Sequence, residues 1–225
     1  MSLFGGISNF IGSFKQVKDS DFEQNGLLTP QQFVLAGDQL LQLGWQWKKA
    51  QNSNKVDKNL PIDKQFLQIE QVNCEKRIKE VFKQHVDTVN QVEGFEIPNF
   101  KENNQDIVDC RTYNISITYD DYYHVPRLWL TGFTEDQKPL NRQQILQDIT
   151  DEQDKFATLE DHPRLEQKQV TIHPCRHSER LKAFVKEAKQ RGINYKPEQA
   201  LLIFLQFMPS IMPTMELDML AEIPL

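Results

Sequence analysis

An α+β fold, with its strands in an antiparallel meander, is predicted by three observations along the 225 residues. An early segment carries a helix start signal followed by an apolar stripe. The middle of the chain alternates apolar and polar residues in short runs joined by turn-forming residues. Helical spacing then returns after a loop that bears a cysteine.

The elements follow in order. In "LLTPQQFVLAGDQLLQLGWQW", Thr29 is an N-cap, Pro30 takes the first helical position and Gln32 completes a Thr-x-x-Gln capping box. Phe33, Val34, Gly37, Leu40 and Leu41 form the face to be buried, closed by Trp45 and Trp47. "KKAQNSNKVDKN" is a loop. "KQFLQIEQV" (64–72) alternates as a half-buried strand with some irregularity. Helical spacing runs through Ile78, Phe82, Val86 and Val89, then yields to the polar "EGFEIPNFKENNQD", so that about 79–107 form a short flexible insertion. "RTYNISITY" and "VPRLWLTGF" are strands on either side of the turn "DDYYH". Asn141 caps a short helix, "RQQILQDI", and "FATLEDH" and "KQVTIH" frame a turn-rich stretch. "DKFATLED" also has the acids and the Phe-x-x-Leu spacing of a short linear motif, but its place before "HPRL" fits a core strand better. "RHSERLKAFVKEAKQRG" (176–192) is an amphipathic helix closed by Gly192, and Pro197 opens a last long helix running into "MPSIMPTMELDML".

Bulk properties narrow the function. A net charge of -6 argues against broad, nonspecific nucleic-acid binding, which needs an excess of Lys and Arg. The 39% of hydrophobic residues suffices for a core. Cys74, Cys110 and Cys175 are odd in number and far apart, which fits a reducing cytosol rather than a disulfide scaffold. The most apolar run, "ALLIFLQF" (200–207), is far short of the ~20 residues that a membrane crossing needs.

The N-terminus is amphipathic in a different way. Leu3, Phe4, Ile7, Phe10, Ile11, Phe14 and Val17 recur at helical spacing, opposite a face of Gly, Ser and Asn. Six large apolar side chains yield roughly 10–15 kcal/mol on burial. Ordering the segment with its three glycines costs about 1–2 kcal/mol per residue. The balance lies near zero, which suits reversible contact, either with the protein's own core or with loosely packed lipid.

"TIHPCRH" (171–177) sets Cys175 between Pro174 and Arg176, with His173 and His177 two residues away on either side, among groups that favour a thiolate. Helical spacing from residue 176 puts the cysteine just before a helix N-terminus. A tyrosine-phosphatase loop is excluded because Leu181 stands where its arginine belongs. The alternate spacing of His173, Cys175 and His177 does not match usual zinc sites. A cysteine protease with His124 or His162 as partner, a structural cysteine and a transthiolation relay stay open at this point. A relay holds an acyl group as a thioester and does without a strong neighbouring base, which would promote hydrolysis.

"TIHPCRH" with its following helix, "ALLIFLQFMPSIMPTMELD", "YYHVPRLWLTGF", "RTYNISITYD", "LTPQQFVLAGDQL" and "WQW" together resemble the autophagy-related protein 3 family, in order and over nearly the whole chain. The resemblance implies a core like that of ubiquitin-conjugating enzymes in residues 21–225, after a membrane-sensing helix in residues 1–20 that presents Leu3, Phe4, Ile7, Phe10, Ile11 and Phe14. It implies that Cys175 accepts an autophagy-related protein 8 type modifier from an autophagy-related protein 7 type activating enzyme and transfers it to phosphatidylethanolamine, with no metal or organic cofactor. The enzyme would be cytoplasmic and reversibly bound to autophagic precursor membranes. His173 accompanies Cys175 in the motif. The family's long insertion is short here, which leaves Phe82, Val86 and Val89 as the expected docking face for the activating enzyme. The Asn that ubiquitin-conjugating enzymes carry before the cysteine is missing, so backbone amides at the helix start or the Thr171 hydroxyl are the expected oxyanion donors. The alternative function is a noncatalytic membrane-bound adaptor of the same fold.

Overall fold

Thr29 begins the first long helix as its sequence predicts. Its Oγ1 accepts the Gln32 N–H at 3.2 Å while Gln32 Oε1 accepts the Thr29 N–H at 3.0 Å. In this computed structural model, which describes residues 21–74, 77 and 110–215, helix α1 spans Asp21–Asn25 and α2 spans Pro30–Leu40. The N-terminal stripe Leu3, Phe4, Ile7, Phe10, Ile11 and Phe14 and the docking face Phe82, Val86 and Val89 lie outside the described residues.

Phe33, Gly37 and Leu40 are buried, but Leu41 is 44% exposed. A tighter 3₁₀ turn, Leu41–Leu43, takes over there and ends at Gly44 with φ 84°, so Leu41 leaves the helical stripe. Trp47 does close the face: a Cβ on Gly37 would lie 2.2 Å from its ring, and its indole N–H donates to Asp38 at 2.8 Å. The residues around it form a short edge strand, β1 (Gln46–Lys48), that the sequence did not announce.

The sheet continues with β2 (Phe66–Cys74), β3 (Arg111–Asp120), β4 (Val125–Phe133), β5 (Ala157–Asp161) and β6 (Lys168–Ile172). All neighbours are antiparallel, in the order β1-β2-β3-β4-β6-β5. The irregularity of β2 is a register shift between Ile69 and Val72, where Gln71 adopts φ 57°. Helices α3 (Arg142–Leu146) and α4 (Asp151–Asp154) lie between β4 and β5 in the chain. Asn141 caps α3 through the Gln144 N–H, as its sequence predicts. β5 is a strand at the outer edge, with Leu159 47% exposed, rather than the core strand expected.

Tyr113, Ile115 and Ile117 of β3, Leu128 and Leu130 of β4, and Val170 and Ile172 of β6 join Phe33 and Leu40 in the main core. So do Leu181 and Val185 of the long helix α5 (Pro174–Gln190) and Leu201 and Phe204 of α6 (Ala200–Leu205). The expected last long helix is broken: α6 stops at Leu205 and α7 (Met208–Ile211) begins anew. Pro209 has no N–H to give the turn before it, which interrupts the helical ladder there. Gly192 closes α5 as predicted, with φ 79° and hydrogen bonds Gly192 N–H to Lys189 O and Ile193 N–H to Ala188 O.

The opposite side of the sheet carries a smaller aromatic cluster. The His162 ring lies 4.9 Å from Trp129 and 5.2 Å from Phe66, centroid to centroid. Its Nδ1 accepts the Arg164 N–H at 3.1 Å, so Nε2–H donates to Ser116 Oγ at 3.2 Å. His162 is a structural histidine, not the partner of a protease cysteine. His124 is likewise engaged elsewhere, with its Nδ1 on Tyr119 Oη at 3.0 Å.

Candidate active site

Strand β6 runs directly into α5, and the single residue between them, His173, sets the geometry of the site. Its N–H donates to Phe156 O at 3.0 Å, and its imidazole occupies the N-cap position usually held by Ser, Thr, Asp or Asn. Nδ1 accepts the Cys175 N–H at 3.3 Å and stands 2.8 Å from Cys175 Sγ. The helix begins at Pro174, two residues earlier than predicted, because proline's fixed φ suits the first helical position. Cys175 therefore lies inside the first turn rather than before it, and it is half-buried.

An Nδ1 lone pair facing both a thiol and a backbone amide can take the thiol proton and return it. The expected oxyanion donors are differently placed. Thr171 is fully buried; its hydroxyl donates to Leu128 O at 2.6 Å and accepts the Arg127 Nε–H at 3.1 Å. Its one proton is committed, so in this arrangement Thr171 is a strand-pairing residue. At the helix start Pro174 has no N–H, Cys175 gives its own to His173, and Arg176 gives its own to His173 O at 3.1 Å.

His177 does not face the sulfur. It is 1% exposed, its Nδ1–H donates to Pro126 O at 3.2 Å, and Phe204 packs edge-on against its ring at 5.0 Å. Burial is the main cause that pushes its protonation down to about 3, with the nearby Arg127 and Arg180 adding to it. Arg176 is engaged by the Phe156 ring at 4.5 Å and by Glu179 at 2.8 Å. Of the motif's candidates, the structure brings together His173 and Cys175.

Two neighbours were not singled out by sequence. Arg127 links Thr171 to Glu160 at 2.6 Å and to Asp120 at 3.7 Å, with its guanidinium over Trp129. Burial alone would raise the Glu160 carboxyl, but the Thr158 hydroxyl, Arg127 and His173 hold it below the ordinary carboxylate range. Tyr123 packs edge-on against the His173 ring, with centroids 5.5 Å apart. Its "DDYYH" segment signalled only a turn. Among the described residues, no three His, Cys, Asp or Glu side chains gather as a metal site.

Residues 32–219 match the family described as "Autophagocytosis associated protein, active-site domain". The chain belongs to the autophagy-related protein 3 family. It is 27% identical to autophagy-related protein 3 of Arabidopsis thaliana, with 88% of each chain covered. The relative from Dictyostelium discoideum is 42% identical over 54% of this chain and 36% of its own length. That from Kluyveromyces lactis is 28% identical over 90% of this chain and 93% of its own. As a member of the autophagy-related protein 3 family, with the active-site domain over most of its length, the chain is a ubiquitin-conjugating-like enzyme of autophagy. None of its described helices is long and apolar enough to cross a membrane.

Proposed function

We propose that Cys175 carries an autophagy-related protein 8 type modifier as a thioester and passes it to phosphatidylethanolamine. In the loading step, the Cys175 thiolate attacks the modifier's thioester on an autophagy-related protein 7 type activating enzyme. A new C–S bond forms and the activating enzyme's sulfur leaves. In the transfer step, the neutral lipid amine attacks the carbonyl, the amide C–N bond forms, and the Cys175 sulfur leaves and recovers a proton. His173 Nδ1 is the proton acceptor and donor at hand. The observation that carries this reading is the 2.8 Å approach of Nδ1 to a half-buried Sγ in the first turn of a helix. No carboxylate hydrogen-bonds His173 among the described residues, which suits a thioester that must outlast water.

Incubation with activating enzyme, ATP and modifier is expected to yield a thiol-sensitive adduct on a non-reducing gel, absent in Cys175→Ala. An adduct that survives Cys175→Ala, or none with an activating enzyme shown to be charged, favours the noncatalytic adaptor.

Residues 1–20 serve as the membrane-sensing helix of this reading, bringing the thioester to an amine confined to the bilayer surface. Phe82, Val86 and Val89 serve as the docking face for the activating enzyme. The enzyme works from the cytoplasm, bound peripherally and reversibly to autophagic precursor membranes. The chain is expected to float with small phosphatidylethanolamine vesicles more than with large ones. Phe10→Asp is expected to lower that recovery about tenfold or more, since it exchanges about 2 kcal/mol of apolar burial for a charge. Equal flotation of the variant would remove the N-terminal stripe from the membrane reading.

A further inference from the structure

An imidazole that serves a thiol needs its ring plane fixed, and this is usually done by a hydrogen bond at its other nitrogen. Here Nδ1 faces Cys175, while among the described residues no hydrogen bond is made at Nε2 of His173. The ring contact of His173 is with Tyr123: centroids 5.5 Å apart and planes at 80°. We infer that Tyr123 is a positioning residue, which holds the His173 imidazole in the orientation that presents Nδ1 to Sγ. The inference deepens the proposed function, since it rests on Cys175 as the reacting group.

The turn that carries Tyr123 is built to hold still. Asp120 Oδ1 accepts the N–H groups of both Tyr122 and Tyr123, at 3.1 and 2.9 Å. The other carboxylate oxygen of Asp120 faces Arg127 at 3.7 Å, and Arg127 bonds Thr171 in the strand that leads to His173. His124 closes the turn at φ 57°, a conformation held by its N–H to Asp120 O at 2.8 Å and by its ring on Tyr119 Oη. Tyr119 in turn donates to Leu28 O at 2.7 Å, which anchors the turn to the segment before α2. Tyr122 also meets Tyr123 edge-on, with ring centroids 4.8 Å apart. The backbone of the turn is thus anchored on both sides of Tyr123, and the contact of its ring with the imidazole is an edge-to-face pair of defined geometry. Partial burial, and then the nearby Cys175 sulfur, raise the Tyr123 hydroxyl above its ordinary range, so it stays neutral beside a thiolate.

The test reads the thiol itself, without modifier or activating enzyme. Alkylation of Cys175 by iodoacetamide is followed at neutral pH by mass spectrometry of its peptide, in the full chain. Tyr123→Leu is expected to slow it about three- to tenfold with little change in Tm, and Tyr123→Phe to stay within about twofold of wild type. Tyr123→Met, of similar reach but without a ring, is expected to behave as the leucine variant and replaces it if that variant loses its melting transition. In a His173→Ala background, Tyr123→Leu is expected to add no further loss. Equal slowing with and without His173, or an unaltered rate in both ringless variants, overturns the inference. Because no conjugation partner is present, these results stand apart from a failure of the thioester assay.

Discussion

Asp148→Asn is expected to lower the free energy of unfolding by about 3–5 kcal/mol. Asp148 is fully buried, yet Arg77, Arg111 at 2.9 Å and the Tyr113 hydroxyl all bond its carboxylate. Arg111 also donates to Gln144 O at 2.7 Å, and Arg77 to Cys74 O at 2.8 Å. Neutralising the carboxylate removes the charge that faces two guanidinium groups which are only 15% and 11% exposed. Burial would lower the protonation of Arg77, but the bond to Asp148 and its charge outweigh that and raise it, so the arginine stays charged. Burial, and then the same carboxylate, raise the Tyr113 hydroxyl and the Cys74 thiol, which keeps both neutral. Arg77 and Arg111 lie far apart in the chain, and one carboxylate holds both. Urea unfolding of the variant should show the loss directly, with Tm lower by about 10 °C or more. A change below about 1 kcal/mol would mean that the two arginines find other partners.

Acid should destabilise the fold well above the pH at which most carboxylates titrate. His162 and His177 are both held neutral, with protonation pushed down to about 3, first by burial and then by neighbouring positive charge. Arg164 and Lys55 face His162, while Arg127 and Arg180 act on His177. The unfolded chain binds a proton at each near pH 6.5 while the folded chain does not. The unfolded state therefore holds more protons, and stability falls as pH is lowered from about 6.5 toward 3. Two such groups give about 3 kcal/mol between pH 6.5 and 5, with a limiting slope near 2.7 kcal/mol per pH unit. Glu160, held low, adds its loss only further down, and Asp121, raised by burial and by Asp57, works weakly the other way. Unfolding free energies by urea across pH 5–7 are expected to follow this slope, and His162→Gln or His177→Gln to remove about one proton from it. A flat profile would show that both rings protonate inside the fold, and half the slope that one of them does.

His177 illustrates why the site was only partly legible. In "TIHPCRH" it stands symmetrically to His173 about Cys175, and nothing local tells the two apart. The helix decides: it starts at Pro174, so residue 177 turns inward onto Pro126 and Phe204 while residue 173 remains at the cap. The surroundings of Thr171 are hidden for a related reason. A threonine four residues before a cysteine looks available, yet its neighbour across the sheet is Trp129 and its hydroxyl is taken by Leu128. Tyr123 lay within a segment that signalled a turn, and its contact with His173 spans fifty residues of chain.

The sequence by itself determined what is settled within a few residues: the capping box at Thr29, the cap at Asn141, the end of α5 at Gly192, the alternation of β3 and β4, and the motif that marks Cys175. Such features rest on backbone dihedrals and on hydrogen bonds three or four residues apart, which leave their imprint in residue type and spacing. Only the tertiary structure decided that β6 lies between β4 and β5, that Asp148 gathers Arg77 and Arg111, and that Tyr123 meets His173. Those pairings join residues far apart in the chain, and their partners are chosen by how the layers pack, which no local periodicity records.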